Sequence, residues 1–344
     1  MTVDLHNVLS LNAPSLNIDT SYDVIDVHTT GMICKCVILK DFKATNWKDA
    51  IALLSSNYDE LRKSLVYEPR SGSGAFGAFL FPSLTADCQY SILYFDRRQY
   101  LKMCGHASIC SIVAAQLSGF VSLHDGLNDI PVSTPAGVIH LHTTFNATER
   151  KVESVQLENV FSFVHTPNVS CTLDDIDFTI DVAFGGNFFA LVDVTDITDV
   201  CTTNCKFFTN YGPRIRTFIN NCLNVQHPAD PSISGVPLVL FYNRNSLKNC
   251  IIFGNSSVDR SPCGSGTSAW SSLLYEKGIV ETKPFRAFSI IDSYFDCEVR
   301  PVTMNGIDGI IPKLTATPYL MGIGKVVLQK DDPFLALEVE EEGF

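Results

Sequence analysis

Cys104 and Cys263 stand in matched settings. The first lies in Met103-Cys104-Gly105-His106-Ala107-Ser108, the second in Asp259-Arg260-Ser261-Pro262-Cys263-Gly264-Ser265-Gly266-Thr267. Each Cys-Gly pair precedes a small, apolar run of helical character, Ala107 to Leu117 and Thr267 to Lys277. Each run ends at a glycine, Gly119 or Gly278, equally far from its cysteine. A helix N-terminus has unpaired N–H groups and about half a positive charge. Both favour an anion, so each thiol is expected to ionise more readily than a free one at about 8.5. Pro262 suits the first helical position. Gly105, Gly264 and Gly266 let a ligand approach the backbone, and a carboxylate fits the same amides. Two such helices facing across a cleft would place thiols on opposite faces of one bound anion. That suits inversion of a stereocentre beside a carboxylate: a thiolate takes the α proton from one face while a thiol delivers one to the other. The scheme calls for no metal and no pyridoxal group. Because that proton is weakly acidic, the site must exclude water and aim fixed dipoles at the developing charge. A cysteine ahead of a buried helix is by itself more often a packing residue. The matched pair, the glycine-rich context and the equal spacing argue for chemistry.

These thiols need elements to hold them. Val24 to Gly31 and Met32 to Leu39 read as strands, and Asn46 to Val66 as one helix capped by Asn46. Tyr67-Glu68-Pro69-Arg70 closes that helix. Phe76 to Phe81 and Gln89 to Phe95 are strands, followed by the first Cys-Gly helix. Ile130 to Ala136, Val138 to Thr144 and Lys151 to Val164 supply more strand. A passage between two halves is expected near Phe145 to Lys151. Asp181 to Val192 is strand, turn, strand about Gly185-Gly186-Asn187, and Tyr211 to Asn220 is helical. Val236 to Tyr242 and Asn249 to Phe253 bracket a turn at Asn243-Arg244-Asn245 and precede the second Cys-Gly helix. Ala287 to Val299 is a hairpin, and Ile307 to Leu328 holds further strands. A run as uniformly small and apolar as Ile109 to Ala115 is expected to be enclosed on all sides. The fold class expected is therefore α+β: two pseudo-symmetric lobes, each a curled, mainly antiparallel sheet wrapped around a central helix.

At 344 residues the chain has length for two cores. Hydrophobic content of 46% with 18% charge fits a packed globular protein. The net charge of −12, with lysines and arginines scattered, excludes a nucleic-acid binder. Glu338 to Glu342 reads as a solvated acidic end. No apolar run reaches the ~18 residues of a membrane span, and Met1 to His6 shows no signal peptide. A cytoplasmic location is expected, with the twelve cysteines mostly reduced. Cys34-Lys35-Cys36 and Cys201 with Cys205 lack the partners of a zinc site.

With these residues on the page, the chain resembles the proline racemase family. The match runs through Asp26-Val27-His28-Thr29, Glu68-Pro69-Arg70, Phe76-Gly77-Ala78, Thr134-Pro135-Ala136-Gly137, Ala183-Phe184-Gly185-Gly186-Asn187-Phe188 and both cysteine motifs. The resemblance implies the diaminopimelate-epimerase-like fold with the site between two lobes, a C-terminal segment that returns to the first lobe, and a homodimer. The expected division is 1–147 plus 318–344 for the lobe carrying Cys104, and 148–317 for the lobe carrying Cys263. By the same resemblance His106 and Asp259 lie near the substrate amine. Gly105, Ala107, Gly264 and Ser265 line a carboxylate cradle through their backbone, and Phe253 belongs to the pocket wall. The implied activity is a cofactor-independent racemase or epimerase acting on proline, 4-hydroxyproline or a related amino acid.

Relatives that act as trans-3-hydroxyproline dehydratases characteristically replace the second cysteine, whereas this chain keeps both. The chain departs from the family after Glu68-Pro69-Arg70. There Ser71-Gly72-Ser73-Gly74-Ala75 replaces a Gly-His and an acidic residue. Met32, Ala107 and Ser265 also differ from common family choices. The shell facing the substrate is thus altered while the thiol pair is intact. The alternatives are a trans-3-hydroxyproline dehydratase and a catalytically silent amino-acid binder.

Among the remaining residues, His28 is divided between the site and a structural turn, and Gly185-Gly186-Asn187 between a tight turn and the cleft. His140 and His142 are expected at the surface, His227 in a turn, and Trp270 and Cys110 in the core. Arg70 is expected as an ion-pair partner.

Overall fold

A computed structural model describes residues 20–72, 74–231, 233–254 and 256–336. Glu338 to Glu342, Met1 to His6 and Ser73 lie outside the described residues.

The chain runs through the same order of elements twice. The first pass is β1 (Thr20–Thr29), β2 (Met32–Ile38), helices α1 (Trp47–Asn57) and α2 (Asp59–Val66), β3 (Phe76–Phe81), β4 (Tyr90–Phe95), the short β5 (Tyr100–Leu101), α3 (Gly105–Ser118), then β6 (Gly126–Thr134), β7 (Gly137–Asn146) and β8 (Lys151–Glu158). After β9 (Phe163–Leu173) the second pass is β10 (Ile176–Phe184), β11 (Phe188–Asp193), α4 (Cys205–Cys222), β12 (Leu238–Asn243), β13 (Lys248–Phe253), the short β14 (Ser257–Asp259), α5 (Gly264–Glu276), β15 (Phe285–Phe288), β16 (Tyr294–Met304) and β17 (Ile307–Ala316). A final strand, β18 (Pro318–Leu328), returns to pair with β1, as β9 pairs with β10.

The strands form one 18-stranded, mainly antiparallel sheet. Its parallel pairs, β2–β3, β4–β6, β11–β12 and β13–β15, are the places where a helix must cross over. In the crossovers from β4 to β6 and from β13 to β15, the helices α3 and α5 each follow directly on a cysteine. α3 packs against β1, β2, β3, β4, β7, β8 and β18, and α5 against β9, β10, β11 and β17. The enclosure expected for Ile109 to Ala115 is therefore real: Ile109, Cys110, Ile112, Ala114 and Ala115 are buried in one core with Trp270 and Leu273 of α5. Ser108 and Ser111 tolerate that burial because the hydroxyls of Tyr94 and Tyr90 pair with them at 2.7 and 2.6 Å.

Several boundaries differ from the expectation for physical reasons. Asn46 caps α1, its side chain accepting from the Asp49 amide at 3.0 Å, but the helix breaks at Tyr58. Ser55-Ser56-Asn57 is poor helix sequence, and Asp59 restarts α2 while pairing with Arg62 at 2.6 Å. Ala147 to Arg150, inside the stretch Phe145 to Lys151, is the turn of the β7–β8 hairpin. Lys151 to Val164 is two strands, interrupted where Asn159 turns inward. Most of β9 was not anticipated, because Pro167 and Asn168 are poor strand residues. They sit where the pairing with β10 shifts register, Asn168 at φ 58 with its amide bonded to Asp181. α4 begins earlier than Tyr211 and contains Pro213. Arg70 forms no carboxylate pair among the described residues. Its guanidinium donates to the carbonyls of Val327 and Leu335, tying down the end of β18 and the chain beyond.

Candidate active site

The starts of α3 and α5 meet. A methyl built on Gly264 would lie 3.5 Å from the Gly105 Cα, and one on Gly105 would lie 3.8 Å from the Gly264 Cα. The two helix N-termini are thus close enough that even a methyl on either glycine would touch the other. Cys104 and Cys263 are the N-cap residues of these helices, and both line one cavity of about 250 Å³. Gly105, His106, Gly264, Ser265, Asp259 and Phe253 line it as well. Ala107 does not: it is fully buried, and its amide points at the Cys104 sulfur. Pro262 lies before the N-cap rather than at the first helical position. Its carbonyl accepts the Thr267 hydroxyl at 2.7 Å.

The two cysteines differ in backbone. Cys104 is in ordinary extended conformation, φ −152, ψ 107. Cys263 has φ 60, ψ 120, where non-glycine residues are strained. The loop before it is braced by Asp259, whose Oδ1 accepts from both the amide and the hydroxyl of Ser261 at 2.8 Å. The Ser261 hydroxyl oxygen in turn accepts the Cys263 amide at 3.0 Å.

Burial decides the electrostatics. It pushes the Cys104 thiol up to about 12, and Asp259 and Asp96 add to this, while the amides of Ala107 and His106 work against it. Cys263 is pushed up further by burial and by Asp259, opposed by the Gly266 amide and the Ser265 hydroxyl. The expected easing of ionisation by the helix starts is thus present but outweighed. Taking a thiolate out of water costs more than two or three oriented amides return. Asp259, itself buried, is raised by desolvation against the bonds from Ser261.

His106 is buried and held down to about 4 by desolvation, so it is neutral near pH 7. Its Nε2 lies 2.7 Å from the Met32 carbonyl. A carbonyl only accepts, so Nε2 carries the proton and Nδ1 is left as an acceptor. The unfolded chain protonates this ring below about 6.5 while the folded one resists to about 4. Stability is therefore lost as pH falls through that window, by up to about 3 kcal/mol from this group. A His106→Asn variant, which keeps a donor for Met32, should lose less stability than the parent between pH 6.5 and 4 in urea titrations. Equal pH slopes would clear His106.

The cavity also includes residues that sequence reasoning did not single out. Asn159 donates to Ser268 of α5 at 2.7 Å. Its only sequence signal was as an asparagine interrupting a strand run. The turn after β4 contributes Asp96, Arg98 and Gln99, while Met32 and Phe76 come from β2 and β3. Gly185-Gly186-Asn187, divided between turn and cleft, is both. A side chain at Gly185 would sit 2.3 Å from the Ser265 carbonyl oxygen and the Ala269 amide nitrogen of α5. His28 is not a wall residue; it stacks on Tyr319, ring centroids 5.2 Å apart. His140 and His142 share Asp129 near the surface, and His227 accepts backbone amides within its own turn. Among the described residues no cluster of His, Cys, Asp and Glu could hold a metal, and no helix is long and apolar enough to cross a membrane.

Known proteins resemble this chain over most of its length. The family model described as proline racemase matches residues 24–336. Proline racemase A of Trypanosoma cruzi is 34% identical, over 91% of this chain and 81% of its own. A trans-3-hydroxy-L-proline dehydratase of Bacillus thuringiensis is 30% identical over 92% of this chain and 97% of its own. Among solved structures, a hydroxyproline epimerase from Agrobacterium vitis with bound trans-4-hydroxy-L-proline superposes with a TM-score of 0.82 at 28% identity. That match covers 95% of this chain and 97% of the epimerase.

Proposed function

The chain belongs to the proline racemase family, and from that premise we propose that it is a cofactor-independent racemase or epimerase inverting the α carbon of proline, 4-hydroxyproline or a related amino acid. The observation that carries this is the placement of two N-cap cysteines in one cavity, at helix starts that touch. The amino-acid carboxylate sits between those starts, against the amides of Gly105, Gly264 and Ser265, with Ala107 acting one step removed through Cys104. One thiolate removes the α proton. The opposite thiol supplies a proton to the other face of the planar intermediate, and the pair ends with its protonation exchanged. Asp259 attracts the substrate ammonium, and His106 Nδ1 accepts one of its hydrogens. Phe253 closes the wall and limits water.

The proposed lobes are 1–147 plus 318–344, and 148–317. The return of β18 to β1 supports the discontinuous first lobe, while the β7–β8 hairpin favours assigning β8 to it as well. A cytoplasmic homodimer completes the proposal. Exposed Tyr319, Leu320 and Met321 on β18 offer an apolar face for a second copy.

The test is α-proton exchange in deuterated water, followed by NMR over L- and D-proline, the hydroxyprolines and other amino acids. Exchange with inversion supports the proposal. Formation of pyrroline-2-carboxylate from trans-3-hydroxyproline would establish the dehydratase reading, which the similarity to the Bacillus thuringiensis enzyme raises and the presence of Cys263 disfavours. Ligand binding with no exchange on any amino acid would leave a silent binder.

A further inference from the structure

Two matching turns approach each other over the cavity. One joins β4 to β5 and carries Asp96 to Gln99; the other joins β13 to β14 and carries Gly254. The first turn is braced from below. Arg62 donates to the Asp96 and Arg97 carbonyls at 2.7 and 3.0 Å, and Asp96 Oδ1 accepts the Arg98 and Gln99 amides at 2.7 and 2.8 Å. Yet the side chain this turn presents, Arg98, has no hydrogen bond or ion pair from its guanidinium to any described residue. It lies over the opposite turn, where a methyl on Gly254 would be 3.4 Å from Arg98 Nη2. Behind it, half-buried Arg216 donates to the Gly254 carbonyl and has no carboxylate partner either. The two charges are close enough that Arg98, together with burial, makes Arg216 harder to protonate.

Several arginines elsewhere in this chain are neutralised. Arg214 pairs with Asp174, Arg244 with Asp193 and Asp196, and Arg286 with Asp296. In a protein of net charge −12, the Arg98 guanidinium at the cavity mouth, with Arg216 behind it, forms a positive spot.

We propose that Arg98, backed by Arg216, binds a second anionic group carried on the side chain of the amino-acid substrate, a carboxylate or a phosphate. This rests on the racemase or epimerase assignment and narrows its substrate class. The cavity then has two electrostatic ends. Asp259 and Asp96 favour the ammonium near the thiols, while the arginines favour negative charge at the mouth. A guanidinium forms forked, charge-assisted bonds to either group.

The experiment compares anionic and neutral amino acids of similar length on the full-length protein: glutamate with glutamine, 2-aminoadipate with norleucine, and O-phosphoserine with serine. Exchange is read as kcat/KM and binding as thermal shift, in the parent, Arg98→Ala and Arg98→Lys. The expected result is a preference for an anionic member. Arg98→Ala should lower its kcat/KM at least about tenfold, the worth of one such bond, chiefly through KM. The neutral partner should change less than about threefold, and Arg98→Lys should recover part of the loss. A carboxylate-only or phosphate-only preference identifies the group. Equal losses on both partners, or a preference for the neutral ones, would overturn the proposal while leaving the racemase assignment standing. Arg98-dependent binding of the anions without exchange would sustain the subsite and remove the racemase.

Discussion

Replacing Cys104 or Cys263 by serine is expected to reduce inversion of the substrate by about 10²–10⁴-fold, the range typical of a lost general acid or base. Serine preserves size and the amide contacts to the side chain, but its hydroxyl is a far weaker acid than a thiol. It can neither become the base nor donate readily. Because inversion by the proposed two-thiol scheme needs both groups in one turnover, the double variant should be little worse than either single one. Groups that act as a unit are non-additive in this way. Thermal unfolding of the single variants should stay near that of the parent, which separates loss of chemistry from loss of fold. Undiminished inversion in either variant would replace the two-thiol scheme with a single base.

The second large effect is on pH. Burial holds Cys104 up to about 12 and raises Cys263 as well, so both thiols are protonated in the free protein near neutrality. The proposed reaction needs one thiolate. Hence kcat/KM, which reports free-enzyme ionisations, should rise about tenfold per pH unit from neutral into the alkaline range. Stability moves the other way. Below about 8.5 the thiols are protonated in both folded and unfolded chains. Above it the unfolded chain releases these protons while the folded chain retains them, so stability is lost progressively as pH rises towards 12. Activity should therefore climb until the fold gives way. A profile of kcat/KM beside Tm between pH 7 and 10 checks both slopes. A flat kcat/KM across that range would mean that the free protein already holds its thiolate.

The thiol pair was legible because its signal is local and repeated: a cysteine, glycines and an apolar run of fixed length, twice. The central helices were legible because Ile109 to Ala115 has no polar face. Residues brought in by the sheet were hidden. Asn159 reaches the cavity only because β8 ends there and its amide finds Ser268, a partner 109 positions away. Arg98 looked like one more surface charge in Asp96-Arg97-Arg98, since nothing local reveals that its turn faces Gly254. Pro167 and Asn168 concealed β9, because a register shift accepts residues that strand propensity rejects. The balance of forces on the thiols was also out of reach. Sequence places the helix amides, but how completely the opposing half covers the sulfur is a property of the folded chain.

Cys263 and Cys104 differ in backbone in a way that bears on descent. A non-glycine residue at φ 60, ψ 120 costs about 1–3 kcal/mol, a strain that glycine would release, while Cys104 at φ −152 carries no such penalty. On the proposed mechanism, selection for turnover keeps the second thiol in place against that gradient. In a lineage where inversion no longer matters, replacement of Cys263 by glycine becomes favourable for folding, whereas replacement of Cys104 brings no such gain. The duplicated motif is therefore bound to decay unevenly, and a descendant with one surviving thiol should have kept the first.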